Sequence, residues 1–116
     1  MTLVELWLRA FAITLAVELA VAVPILRDRG FSARIAAVAA ANLASHPILW
    51  FVLLRLGLSF EVRHVLAEVW AIGVELGVYV LVFPAIGVRR AAAVSLLANG
   101  ASLGMGIALR AAGVPI

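Results

Sequence analysis

Residues 18–45 read ELAVAVPILRDRGFSARIAAVAAANLAS, and residues 75–102 read ELGVYVLVFPAIGVRRAAAVSLLANGAS. Each stretch opens on a glutamate inside an apolar run, has a glycine at its midpoint, Gly30 or Gly87, and closes on Asn-x-x-Ser, at Asn42/Ser45 or Asn99/Ser102. In an antiparallel hairpin, residues equally far from the turn lie at one level, so each glutamate is predicted to sit opposite an asparagine.

Outward from these two stretches, cutting at the charged clusters leaves apolar runs near 7–26, 35–54, 65–86 and 91–112. Each has about the 20 residues that a helix needs to cross roughly 30 Å of hydrocarbon. The chain of 116 residues is 66% hydrophobic and 13% charged, with a mean hydropathy of +1.21. Soluble domains are about half apolar and a quarter charged, and a water-soluble globule this small could not hide so much apolar surface. Without cysteine, a glycine period or a charge excess, the sequence also excludes a disulfide scaffold, collagen and disorder. The expected fold is an all-α integral membrane protein, a four-transmembrane-helix antiparallel bundle forming a single membrane domain over 1–116. Residues 1–26 lack a basic leading segment and are interrupted by Glu18, so they read as a span rather than a cleaved leader.

The net charge of +3 comes from nine arginines, with no lysine, against six acids. Because the arginines flank the apolar runs, they point to lipid phosphates and not to nucleic acid. The connections near 27–34 and 87–90 carry Arg27, Arg29, Arg34, Arg89 and Arg90. The positive-inside rule therefore places those loops on the cytoplasmic side of a cell inner (plasma) membrane, with both termini outside.

An offset of 57 positions, which lays Glu75 on Glu18, aligns 7–56 with 64–113 without a gap. It gives about 12 identities where composition alone would give roughly 6, and Glu18/Glu75, Asn42/Asn99 and Ser45/Ser102 are among them. Two tandem two-helix repeats, about 7–56 and 64–113, follow. Their orientation is the same, so the expected symmetry axis runs along the membrane normal.

A carboxylate at mid-membrane costs several kcal/mol, so Glu18 and Glu75 must face the interior and be protonated or paired. No arginine lies at their depth, and neutral carboxyls donating to the asparagine carbonyl oxygens are expected. Asn42, Ser45 and His46 share one helix face; Ser95, Asn99 and Ser102 share another, and Glu68, Glu75 and Tyr79 a third. The candidate binding residues are Glu18, Asn42, Ser45, His46, Glu75, Asn99 and Ser102, with Glu68 and Tyr79 beside them. Glu–Asn bonds could also act only as glue between helices, at about 0.6 kcal/mol each. One His and two Glu lack the Glu-x-x-His pattern of carboxylate-bridged bundles, so no metal is assigned, and no cofactor is read from the chain. Gly73/Gly77 and Gly100/Gly104 have small-xxx-small spacing and predict close helix contacts, and Glu5 with Arg9 reads as an ion pair. Pro47 is expected to kink the second span.

No catalytic motif is present. Duplicated midplane acids at a repeat interface point first to a protein that carries or conducts a proton, cation or small polar solute. The alternative is a non-catalytic subunit or assembly factor of a larger membrane complex, its outer faces meeting lipid, a second copy or partner proteins. An intramembrane enzyme using Glu18, Glu75 and His46 ranks last, because no nucleophile and base pair up.

Overall fold

The computed structural model describes residues 1–116 as four helices: α1 (Leu3–Ile25), α2 (Phe31–Phe51), α3 (Phe60–Val82) and α4 (Gly87–Ala111). All four are long and apolar enough to cross a membrane. Each packs on two neighbours, α1 on α2 and α4, and α3 on α2 and α4, and the diagonal backbones stay apart. The result is a square bundle 40 Å long, close to the roughly 40–45 Å of a bilayer with its headgroups.

Side chains cap the starts of α1 and α3. Thr2 accepts from the Glu5 N–H while the Glu5 carboxylate accepts from the Thr2 N–H at 2.6 Å, a reciprocal box that satisfies two orphan donors. This corrects the expected Glu5–Arg9 ion pair: the carboxylate turns back to the helix end, and neither residue forms a salt bridge. Ser59 caps α3 through the Val62 N–H. Every helix begins about four residues before its apolar run, because the first turn can project polar side chains beyond the hydrocarbon.

The last turn also differs from expectation. Gly87–Arg90 belongs to α4, and the connection is Phe83–Ile86, with a 3₁₀ turn at Pro84–Ile86. Proline has no N–H to continue α3 and disfavours helical backbone in Phe83, so the chain turns there. Gly87 then sits at φ 78°, where an L side chain is strained. Gly87→Ala is expected to lower stability by about 1 kcal/mol in a detergent unfolding titration. Pro47 lies within the continuous α2.

At the loop end near Gly30 and Gly87, arginines finish what α1 leaves open. Arg34 donates to the Val23 carbonyl at 2.7 Å and Arg90 to the Ile25 carbonyl at 2.6 Å, two of the acceptors a helix C-terminus leaves without intrahelical partners. Arg90 also bridges to Asp28 at 3.0 Å, and the Arg29 guanidinium lies over the Phe83 ring. Desolvation pushes the Asp28 carboxyl up, but its own backbone N–H with the charges of Arg90 and Arg29 outweighs this and holds it below its ordinary range. A depressed carboxyl contributes above the unfolded value near 4 and loses its contribution as the pH falls below it. Acidification through that window should lower the stability of the wild type more than that of Asp28→Asn, as read by unfolding midpoints from pH 6 to 3.

The two halves of the bundle are packed differently. Toward the clasp, Leu26, Val38, Tyr79, Phe83 and Val94 close the centre together with small alanines. Toward the termini, Ala10, Ala71 and Gly106 line the axis and leave a cavity of about 120 Å³. Gly73, Gly77, Gly100 and Gly104 make no close helix contact: a Cβ at any of them would meet nothing within 4 Å, and Gly73, Gly100 and Gly104 are exposed. The small-residue spacing therefore serves no packing inside the chain, whose helices meet through alanine and serine.

Candidate functional site

Halfway along the bundle the polar residues of all four helices converge. Glu18 on α1 is fully buried and Glu75 on α3 is 1% exposed. Asn42 Nδ2 donates to Glu18 Oε2 at 2.6 Å, and Asn99 Nδ2 donates to Glu75 Oε2 at 2.7 Å. These bonds stay within one hairpin. The other carboxyl oxygens are served across the bundle: Ser102 Oγ donates to Glu18 Oε1 and Ser45 Oγ to Glu75 Oε1, both at 3.1 Å. All four carboxyl oxygens thus take one donor each, half from the glutamate's own hairpin and half from the opposite one. The two carboxyls are near enough to interact across the centre of the bundle.

The direction of the asparagine bonds is a correction. Their amide nitrogens face the carboxyls, and the expected donation from carboxyl to amide oxygen does not occur. Each Nδ2 has a second hydrogen, taken by the carbonyl one turn back, Val38 at 3.1 Å or Ser95 at 2.9 Å, and only an N–H₂ group can serve both acceptors. Asn42 Oδ1 is left buried without a partner.

His46 is buried between the Phe11 and Trp50 rings, and its Nδ1 has no partner. It lines the cavity with Glu68, which is half-buried and forms neither a hydrogen bond nor a salt bridge. Tyr79 shares the helix face of Glu75 but lies one turn beyond it, in the closed half, buried with its hydroxyl unpartnered. No three His, Asp or Glu groups come close enough to hold a metal ion.

Several supporting residues lie outside the sequence-derived set. Trp70 Nε1 donates to the Ser45 carbonyl at 3.0 Å and ties α3 to α2 two residues before Pro47. Ser95 Oγ donates to the Ile72 carbonyl at 2.8 Å, joining α4 to α3. Thr14, Trp50 and Arg110 line the cavity. Spacing marks Thr14 four before Glu18, Ser95 four before Asn99 and Trp50 four after His46; nothing in the sequence singles out the carbonyl that Trp70 reaches.

The chain has no cysteine, so single cysteines can map the cavity. Leu49→Cys should react with a membrane-impermeant maleimide added on the side of the termini, and Val38→Cys should react from neither side. Labelling of both at similar rates would show that the cavity does not end at the carboxyls.

The chain matches no protein-family model, no curated protein and no solved structure.

Proposed function

We propose that the chain is a small inner-membrane transport or permeation protein made of two tandem repeats, 7–56 and 64–113, in which Glu18 and Glu75 form one site for a proton, a cation or a small polar solute. The observation that carries this reading is the reciprocal bonding. Exchanging the two halves at the 57-position offset turns the bonds of Glu18 to Asn42 and Ser102 into those of Glu75 to Asn99 and Ser45. Two buried, interacting carboxyls far from any guanidinium are best accommodated with one proton between them. A shared proton is a removable one, and the cavity gives it a route to the terminal face. The repeats have one orientation, so the site lies on an axis along the membrane normal with different surroundings on its two sides. With the arginine-rich loops cytoplasmic, the cavity opens outward.

Reconstituted vesicles test this. The wild type should pass protons or a labelled monovalent cation, and Glu18→Gln/Glu75→Gln should fall to the background of empty vesicles. Equal flux in the double variant would end the transport reading.

One observation favours assembly with other helices. Gly100 and Gly104 lie on the outside of α4 with open space over them, a face that lets another backbone approach closely. Native mass spectrometry from gentle detergent separates the outcomes: a heteromer of fixed composition supports a subunit role, and a lone chain opposes it.

A further inference from the structure

The cavity above the carboxyl pair carries a more specific chemistry than a generic polar site. All the side-chain hydrogens at its floor are already spent: two amides and two hydroxyls point into the carboxyl oxygens. What the floor still offers is acceptor capacity, since a carboxylate oxygen has room for more than one donor. Glu68 adds a third carboxyl on the wall, and Arg110 is the one cationic group, lying a full helix half away from Glu18 and Glu75. The floor therefore lacks positive charge and unspent hydrogen-bond donors; on the wall, Thr14 carries a hydroxyl, His46 an imidazole and Arg110 a distant guanidinium. A metal ion supplies positive charge but needs a shell of ligating oxygens, and no cluster of three ligating groups exists. Ile13, Leu49, Ile107 and the Trp50 ring give the rest of the wall an apolar portion. Size narrows the choice further. A cavity of roughly 150 Å³ holds one benzene, so about 120 Å³ holds an organic molecule somewhat smaller.

Taking the Glu18–Glu75 pair as the site proposed above, we infer that the cavity binds a small primary alkylammonium ion, its N–H₃ group on the two carboxyls and its alkyl tail toward Trp50. The ion displaces the proton held between the carboxyls into the water of the cavity: one positive charge enters, one leaves, and the floor keeps its net charge. The other titratable groups around the floor are His46 on α2, Glu68 and Tyr79 on α3 and Arg110 on α4.

Titration of n-propylammonium into the full chain in lipid nanodiscs, by calorimetry in two buffers of different ionisation enthalpy, reads binding and proton release together. The expected result is binding with close to one proton released per ion. Glu18→Gln/Glu75→Gln should weaken it by about thirtyfold or more. Leu49→Trp, which fills the cavity and leaves the carboxyls alone, should abolish it, and this variant keeps the test open if the double variant does not fold. Equal binding of 1-propanol, or displacement by equimolar sodium, overturns the ammonium assignment and leaves a polar site standing. Binding undiminished in Leu49→Trp overturns its placement in the cavity. Propylammonium binding unchanged in the folded double Gln variant overturns the assignment together with the site itself.

Discussion

Glu18→Ala is expected to lower the stability of the bundle by about 1–3 kcal/mol, and Glu75→Ala by a comparable amount. Each truncation leaves donors without the carboxyl that they served. Without Glu18, Asn42 Nδ2 keeps the Val38 carbonyl and Ser102 Oγ keeps the Asn99 carbonyl, but each loses its bond to the carboxyl, and Glu75 loses the group it faces. Without Glu75, Asn99 and Ser45 retain the corresponding carbonyls of Ser95 and Asn42. Single hydrogen bonds between membrane helices average about 0.6 kcal/mol, so Ser45→Ala and Ser102→Ala should cost less than either glutamate change. Unfolding by SDS titration in bicelles gives all four values. If one glutamate proved silent while the other was costly, the two hairpins would not be energetic equivalents.

Tyr79→Ala is expected to cost about 2–3 kcal/mol and to change access to the site. The ring is fully buried beyond Glu75 among Ala22, Val38 and Val94. Its removal opens a void, and void costs run at roughly 24 cal/mol per Å³. In a bilayer that packing term dominates, because lipid removes most of the hydrophobic transfer term. The void joins the floor of the cavity to the closed half. A water-soluble thiol reagent that fails to reach Ser45→Cys from the loop face in the wild-type background should reach it once Tyr79 is Ala. Unchanged protection in a folded variant would place the barrier at Leu26 and Phe83 instead. Tyr79→Phe keeps the plug and removes only an unpartnered hydroxyl, so it should protect as well as the wild type.

The parts of the structure legible in the sequence are those fixed by counting along helices. Four apolar runs give four helices, and equal distances from Gly30 and Gly87 give the pairing of Glu18 with Asn42 and of Glu75 with Asn99. The crossed bonds from Ser45 and Ser102 depend on how the hairpins dock, which spacing does not encode. The amide orientation is set by the carbonyls of Val38 and Ser95, groups every residue carries and no motif marks. The one-sided cavity is equally hidden. It follows from alanine and glycine at Ala10, Ala71 and Gly106 against Leu26, Tyr79 and Phe83 at the other end, a contrast visible only once the inward faces are known. Gly100 and Gly104 show the converse: their spacing is clear, but it does not tell an inner face from an outer one.

The arginine clasp bears on the order in which the protein is made. The helix synthesised first has its final carbonyls completed by Arg34, which follows within the same hairpin, and by Arg90, which emerges only with the last helix. Until α4 has been inserted, the end of α1 must borrow water or lipid headgroups for the Ile25 carbonyl, and Asp28 has no Arg90 beside it. A nascent chain stalled after α3 is thus unfinished at its beginning.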